Sequence, residues 1–332
     1  MAIGAVRLRL LAALLAFTAG VVAVVTVALL AHSTLSADGL SSVGAAAAPA
    51  AAAPSSSAPS EPAFPAPPPG AFVLAREDGD LAVGLAASRR AGRLELQASV
   101  IGQEQPAQGL SVAFRLGGGT AARAEPCGAG CYRAVVAARA SPTLVVAIRG
   151  PNRSGSAVTF PLPASLPGLP AAALVRHAEK TWRALETLVV HDRLSSGPGR
   201  TIDTVWQFKA PAELTYRIRN GPEAVAIGSR RWDRLPGQGW QGSEQDPIRQ
   251  PIPLWEAVSN AHLLASAVLR GRPVWEISFF DPQIQAWFTI WVDKTTARTL
   301  ELRMIAQAHF MHQVYGPFNR PLRIVPPTKA TS

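Results

Sequence analysis

Residues 273–312, PVWEISFFDPQIQAWFTIWVDKTTARTLELRMIAQAHFMH, constrain the fold of this chain more than any other stretch, because apolar residues recur there in steps of two. Strand side chains point to opposite faces in turn, so a period of two specifies half-buried β-strands. Three strands of an antiparallel meander are expected. The first sets Trp275, Ile277 and Phe279 against Glu276 and Ser278, and the second sets Ile284, Ala286, Phe288, Ile290 and Val292 against Gln285, Trp287, Thr289, Trp291 and Asp293. The third sets Leu300, Leu302, Met304, Ala306, Ala308 and Phe310 against Thr299, Glu301, Arg303, Gln307 and His309. Asp281-Pro282 and Asp293-Lys294-Thr295 supply the turns. Such a sheet needs an apolar cover on its inner face, which is either a helix or a ligand.

The two ends set the context. Arg7 and Arg9 precede an uncharged apolar run over 10–31, long enough to cross a bilayer with its N-terminal side in the cytoplasm. The expectation is a membrane anchor over 1–36, single-pass, with the bulk of the chain extracytoplasmic. A cleaved signal peptide is the other reading, with small residues at Ala31-His32-Ser33. No cysteine lies near this segment, so a lipid-modified N-terminus is excluded. Residues 37–70 are almost entirely Ala, Ser and Pro and read as an extended tether. The net charge of +10 comes from dispersed arginines without basic runs or interleaved aromatics, which argues against nucleic acid as a partner.

From 71 to 165, seven short strands separated by Gly, Pro, Asn or Ser clusters suit an immunoglobulin-like β-sandwich. Cys127 and Cys131, the only cysteines, enclose Gly-Ala-Gly at a strand entry. In an exported chain a disulfide between them is one reading and a thiolate metal site the other. The strand pattern and GAGCYRAVV resemble the YtkA-like domains found beside copper-resistance membrane proteins. That resemblance implies an envelope protein partner for the sandwich.

From 166 to 327 the expected order is a helix over 170–191, antiparallel strands with an Asn220-Gly221 hairpin, a second helix over 253–269 ending at Gly271, and the meander; residues 328–332 are a tail. FKAPAELTYRI at 208–218, AIGSRRWDRLPGQGW at 226–240 and FFDPQIQAWFTIWVDKTTARTLELRM at 279–304 resemble the LolA-like envelope lipoprotein carriers, including their mycobacterial lipid-binding group. The resemblance implies a curved half-barrel closed by helices around a cavity for acyl chains. Related domains also act as envelope stress sensors, so the fold does not fix the role.

The expected cavity lining is Phe288, Ile290, Leu302, Met304, Ala306, Ala308 and Phe310, with the alanines leaving room for alkyl chains. A lipid or acyl chain is the expected partner, and the membrane the second through the N-terminal helix. One rival is a copper-handling accessory using His309 and Met311, whose imidazole and thioether suit copper and which share a strand face. Another is a regulatory or scaffolding protein without cargo. Trp287 and Trp291 share the polar face of the middle strand and would form a contact surface if exposed. No nucleophile elbow, phosphate loop, metalloprotease helix or Ser, His and acid set is present, so no catalytic residues and no cofactor are expected.

Overall fold

Runs of alternating residues ended by tight turns become strands over much of the chain that the computed structural model describes, which is 64–102, 109–138, 141–150, 153–195, 200–328 and 330–331. The expected anchor and most of the expected tether lie outside these residues. Among the described residues no helix is long and apolar enough to cross a membrane.

The first half forms two antiparallel sheets. Their strands are β1 (Phe72–Asp78), β2 (Leu81–Arg90), β3 (Arg93–Gly102), β4 (Ser111–Leu116), β5 (Ala122–Arg123), β6 (Glu125–Gly128), β7 (Cys131–Ala137), β8 (Thr143–Gly150) and β9 (Arg153–Pro161). One sheet runs β1-β2-β3-β7-β6 and the other β5-β4-β8-β9. Their facing rows, including Leu85, Leu96, Phe114, Leu144 and Phe160, form one buried core. Cys127 and Cys131 are joined by a disulfide.

The second half comprises β10 (Leu169–Pro170), α1 (Ala172–Arg183), β11 (Thr187–Ser195), β12 (Thr201–Lys209), β13 (Glu213–Ile218), β14 (Glu223–Ile227), β15 (Arg230–Arg234), β16 (Trp240–Glu244), β17 (Ser259–Leu269), β18 (Arg272–Asp281), β19 (Ala286–Asp293), β20 (Thr299–Ala306), β21 (His309–Phe318) and β22 (Ala330–Thr331). They build a single sheet in the order β10-β17-β18-β19-β20-β21-β11-β12-β13-β14-β15-β16-β22. The fold is thus mainly β with one helix among the described residues, and the sheet does not close into a barrel.

Several expectations need correction. The helix expected over 170–191 stops at Arg183, and the β-branched run beginning at Thr187 enters β11, where it pairs with β12 and β21. The helix expected over 253–269 is absent, and Ser259–Leu269 is a strand. Two register shifts against β18, at Ser259/His262 and Leu263/Ala265, scramble its alternation and hide the period of two. Gly271, read as a helix stop, forms with Arg270 the turn into β18, both at positive φ. The module is therefore not closed by two helices. The third meander strand also ends early: β20 stops at Ala306, and the chain reverses through Gln307 and Ala308 into β21.

Phe64 and Pro65, at the end of the stretch read as a tether, are packed: Phe64 is buried, and the Pro65 carbonyl accepts the Gln97 side-chain amide at 3.0 Å. The two-sheet module lies on the large sheet. Val73, Ala82, Ala86 and Ile101 bury against Phe280, Trp287, Ile305 and Phe310 in a shared cluster. Polar contacts fix the register, with Ser278 Oγ donating to the Val73 carbonyl at 2.5 Å and Asn260 Nδ2 to the Pro68 and Ala71 carbonyls at 2.8 Å each. Trp287, read above as a candidate surface residue, is only 2% exposed. Its indole occupies the space a Cβ at Gly84 would need. A Gly84→Ala variant is expected to lose about 1–3 kcal/mol in urea denaturation through overpacking. Combining it with Trp287→Leu should recover part of that loss, because the two positions share one contact.

Candidate ligand-binding face

The inner face of the large sheet collects the residues that the period of two sorted inward. Ile277, Phe279, Phe288, Ile290 and Leu302 are fully buried there, together with Leu188 and Val190 of β11. α1 lies over them through Val175, Ala178 and Trp182, one stripe of an amphipathic helix. Lys180 and Arg183 occupy its last turn, where positive charge suits the helix dipole.

Aromatic rings tie this cover to the sheet. The Trp182 indole stands edge-on to Tyr315 at 4.6 Å and to Trp255 at 6.0 Å. Trp255 in turn meets Phe279 at 5.5 Å and Phe288 at 6.1 Å, and those two rings stack at 5.0 Å. Trp255 sits on a segment without regular structure, held by the fully buried Asp281. One oxygen of Asp281 accepts from the Glu256 and Ala257 amides at 2.7 and 3.1 Å, and the other accepts from the Gln283 amide at 2.8 Å.

Beyond α1 the inner face continues onto β12 and β13 without a helix. Trp206 and Phe208 stack in parallel at 6.0 Å, Tyr216 leans on Trp206 at 4.8 Å, and both Trp206 and Phe208 are only partly buried. Leu214, Ala224 and Ala226 back them. Arg231 crosses the end of this wing in a two-pronged ion pair with Asp233, at 2.7 Å for each prong. Burial raises the Tyr216 hydroxyl above its usual range, with the Arg231 charge opposing the shift.

Polar groups are buried between the helix-covered part and the wing. Asp192 on β11 lies opposite Gln313 on one neighbour and Thr204 on the other. Tyr315 donates to Gln313 Oε1 at 2.5 Å, and Gln313 Nε2 donates to Met311 Sδ at 3.2 Å. Asp192 Oδ1 and the indole N–H groups of Trp182, Trp206 and Trp255 are buried without a hydrogen-bond partner. Burial pushes Asp192 up to about 7, although Gln313 and the nearby Trp206 indole pull it down and Asp203 adds to the rise. Tyr315 is raised well above its usual range by its complete burial and by the proximity of Asp192.

The expected lining residues divide three ways. Phe288, Ile290, Leu302 and Met304 belong to the inner core, and Ala306 packs at its margin. Ala308 does not line this face, because it sits in the hairpin turn at φ 61. Phe310 lies on the outer face, opposite Ile305 and against the two-sheet module, since the reversal at 307–308 places it on a new strand. His309 turns its ring to the Gln307 carbonyl at 3.1 Å, and Met311 takes the Gln313 amide. Among the described residues no three His, Cys, Asp or Glu side chains gather where they could hold a metal ion. Sequence reasoning missed Asp192, whose one signal was an acid set among apolar residues at alternate positions, and Trp255, misread as part of a helix.

The described residues thus define an open, mostly antiparallel sheet with an apolar inner face under one helix. No protein-family model and no curated protein matches the sequence. Similar solved structures include LprF from Mycobacterium bovis, 11% identical with a TM-score of 0.36 over 48% of this chain and 99% of that one. The lipoprotein LppX from Mycobacterium tuberculosis is 12% identical with a TM-score of 0.35, over 46% and 97%. A DUF1329 family protein from Desulfovibrio piger is 11% identical with a TM-score of 0.25, over 47% and 95%.

Asp192 gives this face a pH signature. In the unfolded chain its carboxyl ionises near 3.8, so between 3.8 and about 7 the folded state holds a proton that the unfolded state has released. Stability is therefore expected to fall as pH rises through that window and to level off above it. The Asp192 contribution is on the order of 2–4 kcal/mol. Asp192→Asn should remove the slope and be the more stable protein above the window, as read from urea denaturation across pH.

Proposed function

We propose that this chain is an extracytoplasmic binding protein for an apolar ligand, a lipid or acyl chain, held on the inner face of a LolA-like half-barrel. The observation that carries the reading is the imbalance between that face and its cover. An apolar surface running from β17 to β14 is closed by one twelve-residue helix and a single Trp-bearing segment, while Trp206 and Phe208 remain partly open beside them. Burying alkyl groups there is worth about 0.8 kcal/mol per CH₂, so no covalent chemistry is needed for capture. The indole N–H groups of Trp182 and Trp255 are buried without a partner in the protein, and an oxygen of a ligand that reached them would supply one.

The two-sheet module fits an immunoglobulin-type sandwich in this reading. Its order β2-β3-β7-β6 facing β5-β4-β8-β9 supports that reading, with β1 added at one edge. The YtkA-like resemblance and the apolar N-terminal run support an envelope location, where the run tethers the protein to the membrane and the sandwich serves as spacer. Binding and release proceed without catalysis, by movement of α1 and the Trp255 segment.

Native mass spectrometry of the full chain from a bacterial host, followed by organic extraction, tests the reading. A co-purifying acyl species is expected, with its occupancy reduced several-fold by Trp206→Ala combined with Phe208→Ala. A clean apo mass that does not shift with added phospholipid would remove the lipid-binding reading.

A further inference from the structure

The outer face of the large sheet carries a cleft, separate from the apolar inner face. Where the two-sheet module ends above this face, a half-open cleft of about 640 Å³ lies between β1 and strands β18 to β21, β11 and β12. Its size is that of a small-molecule site.

The charge arrangement on its floor is unusual for a sheet surface. Arg193 on β11 lies directly opposite His312 on β21, and His312 lies directly opposite Arg303 on β20. Three basic side chains therefore occupy successive positions of one cross-strand row, an arrangement that costs stability when charges repel. Arg76 reaches the same cleft from β1, across the module boundary. The neighbouring acids offset this charge only in part. Asp203, opposite Arg193 on β12, pairs with Arg219 at 3.1 Å, and Glu301 holds His312 at 2.7 Å and Arg270 at 3.1 Å. Among the described residues Arg76, Arg193 and Arg303 make no direct ion pair, although Glu276 lies near Arg76 and Arg303 and Glu77 also lines the cleft. All three arginines are exposed, so their guanidiniums can meet a ligand.

We propose that this cleft binds the phosphate group of an organic phosphate, held by Arg76, Arg193 and Arg303, with the organic part against the partly exposed Trp291. A guanidinium presents paired N–H donors in the geometry of phosphate oxygens, and three of them supply more donors than a carboxylate can accept. The Thr289 hydroxyl adds another donor, while Leu74, Ile305 and the Trp291 ring give the walls apolar patches. Glu276 fits as well. Burial raises its carboxyl above the usual range, with Arg76 and Arg303 opposing, so an arriving anion meets a less firmly ionised neighbour.

The same chemistry could arrive on a soluble ester or on a lipid headgroup, and one experiment separates them. Phenyl phosphate and glycerol 3-phosphate would be titrated calorimetrically into the full chain, alongside sedimentation with phosphatidylglycerol or phosphatidylcholine vesicles. Saturable binding is expected, weakened at least about tenfold by Arg193→Gln combined with Arg303→Gln. The same variant should melt no lower than the parent, since a like-charge row has been relieved. Arg115→Gln, on the exposed side of β4, should bind as the parent does. Binding of the soluble esters assigns a soluble ligand; capture by phosphatidylglycerol vesicles alone, with the same loss in the variant, assigns a lipid headgroup. No binding in either arm, or binding that survives the arginine substitutions, overturns the proposal. An acyl-loaded inner face in the same preparation leaves this outcome separately readable.

Discussion

The indole of Trp287 lies against the backbone of Gly84, and no side chain could stand between them. That contact makes the meander strands buried on both faces, the inner one under α1 and Trp255 and the outer one under β1 and β2. Small residues on β2, Ala82 and Ala86 beside Gly84, with Ala71 just before β1, let two sheets approach where Phe280, Trp287 and Phe310 supply the bulk. The same packing fixes the relation of the modules, so Arg76 on one faces the basic row on the other.

On the inner side, order depends on Asp281. It lies at 0% exposure and accepts backbone N–H groups from the Trp255 segment and from the turn into β19. A segment with no ladder of its own is thereby held against Phe279 and Phe288. The ring contacts then pass from Trp255 through Trp182 to Tyr315, coupling the irregular segment, the helix and β21. A ligand that displaces one of these elements therefore disturbs the others, and the buried Asp192 near Tyr315 lies beside that path.

The alternation in 273–312 was enough to give three strands and the inward position of Phe288, Ile290, Leu302 and Met304, because a buried face imposes its period on the sequence. It failed where the backbone departs from that period. Ala308 takes a positive φ that its residue type does not advertise, so the reversal into β21 was invisible and Phe310 was assigned to the wrong face. In Ser259–Leu269 two register shifts and several alanines imitated a helix. Period also cannot tell which partner covers a face: Trp287 reads as outward, and it is, yet a second module buries it. The basic row was illegible for a similar reason, since Arg193, His312 and Arg303 become neighbours only through pairing across distant strands.

A sheet of thirteen strands offers two long edges at which another chain could add itself by hydrogen bonding. At one of these edges the strand Leu169–Pro170 is only two residues long. Pro170 has no N–H to donate, and β17 behind it is bent by two bulges, so its remaining edge is a poor template for a flat partner. At that edge the fold thus resists the addition of a further strand, although the face behind it is wide and apolar.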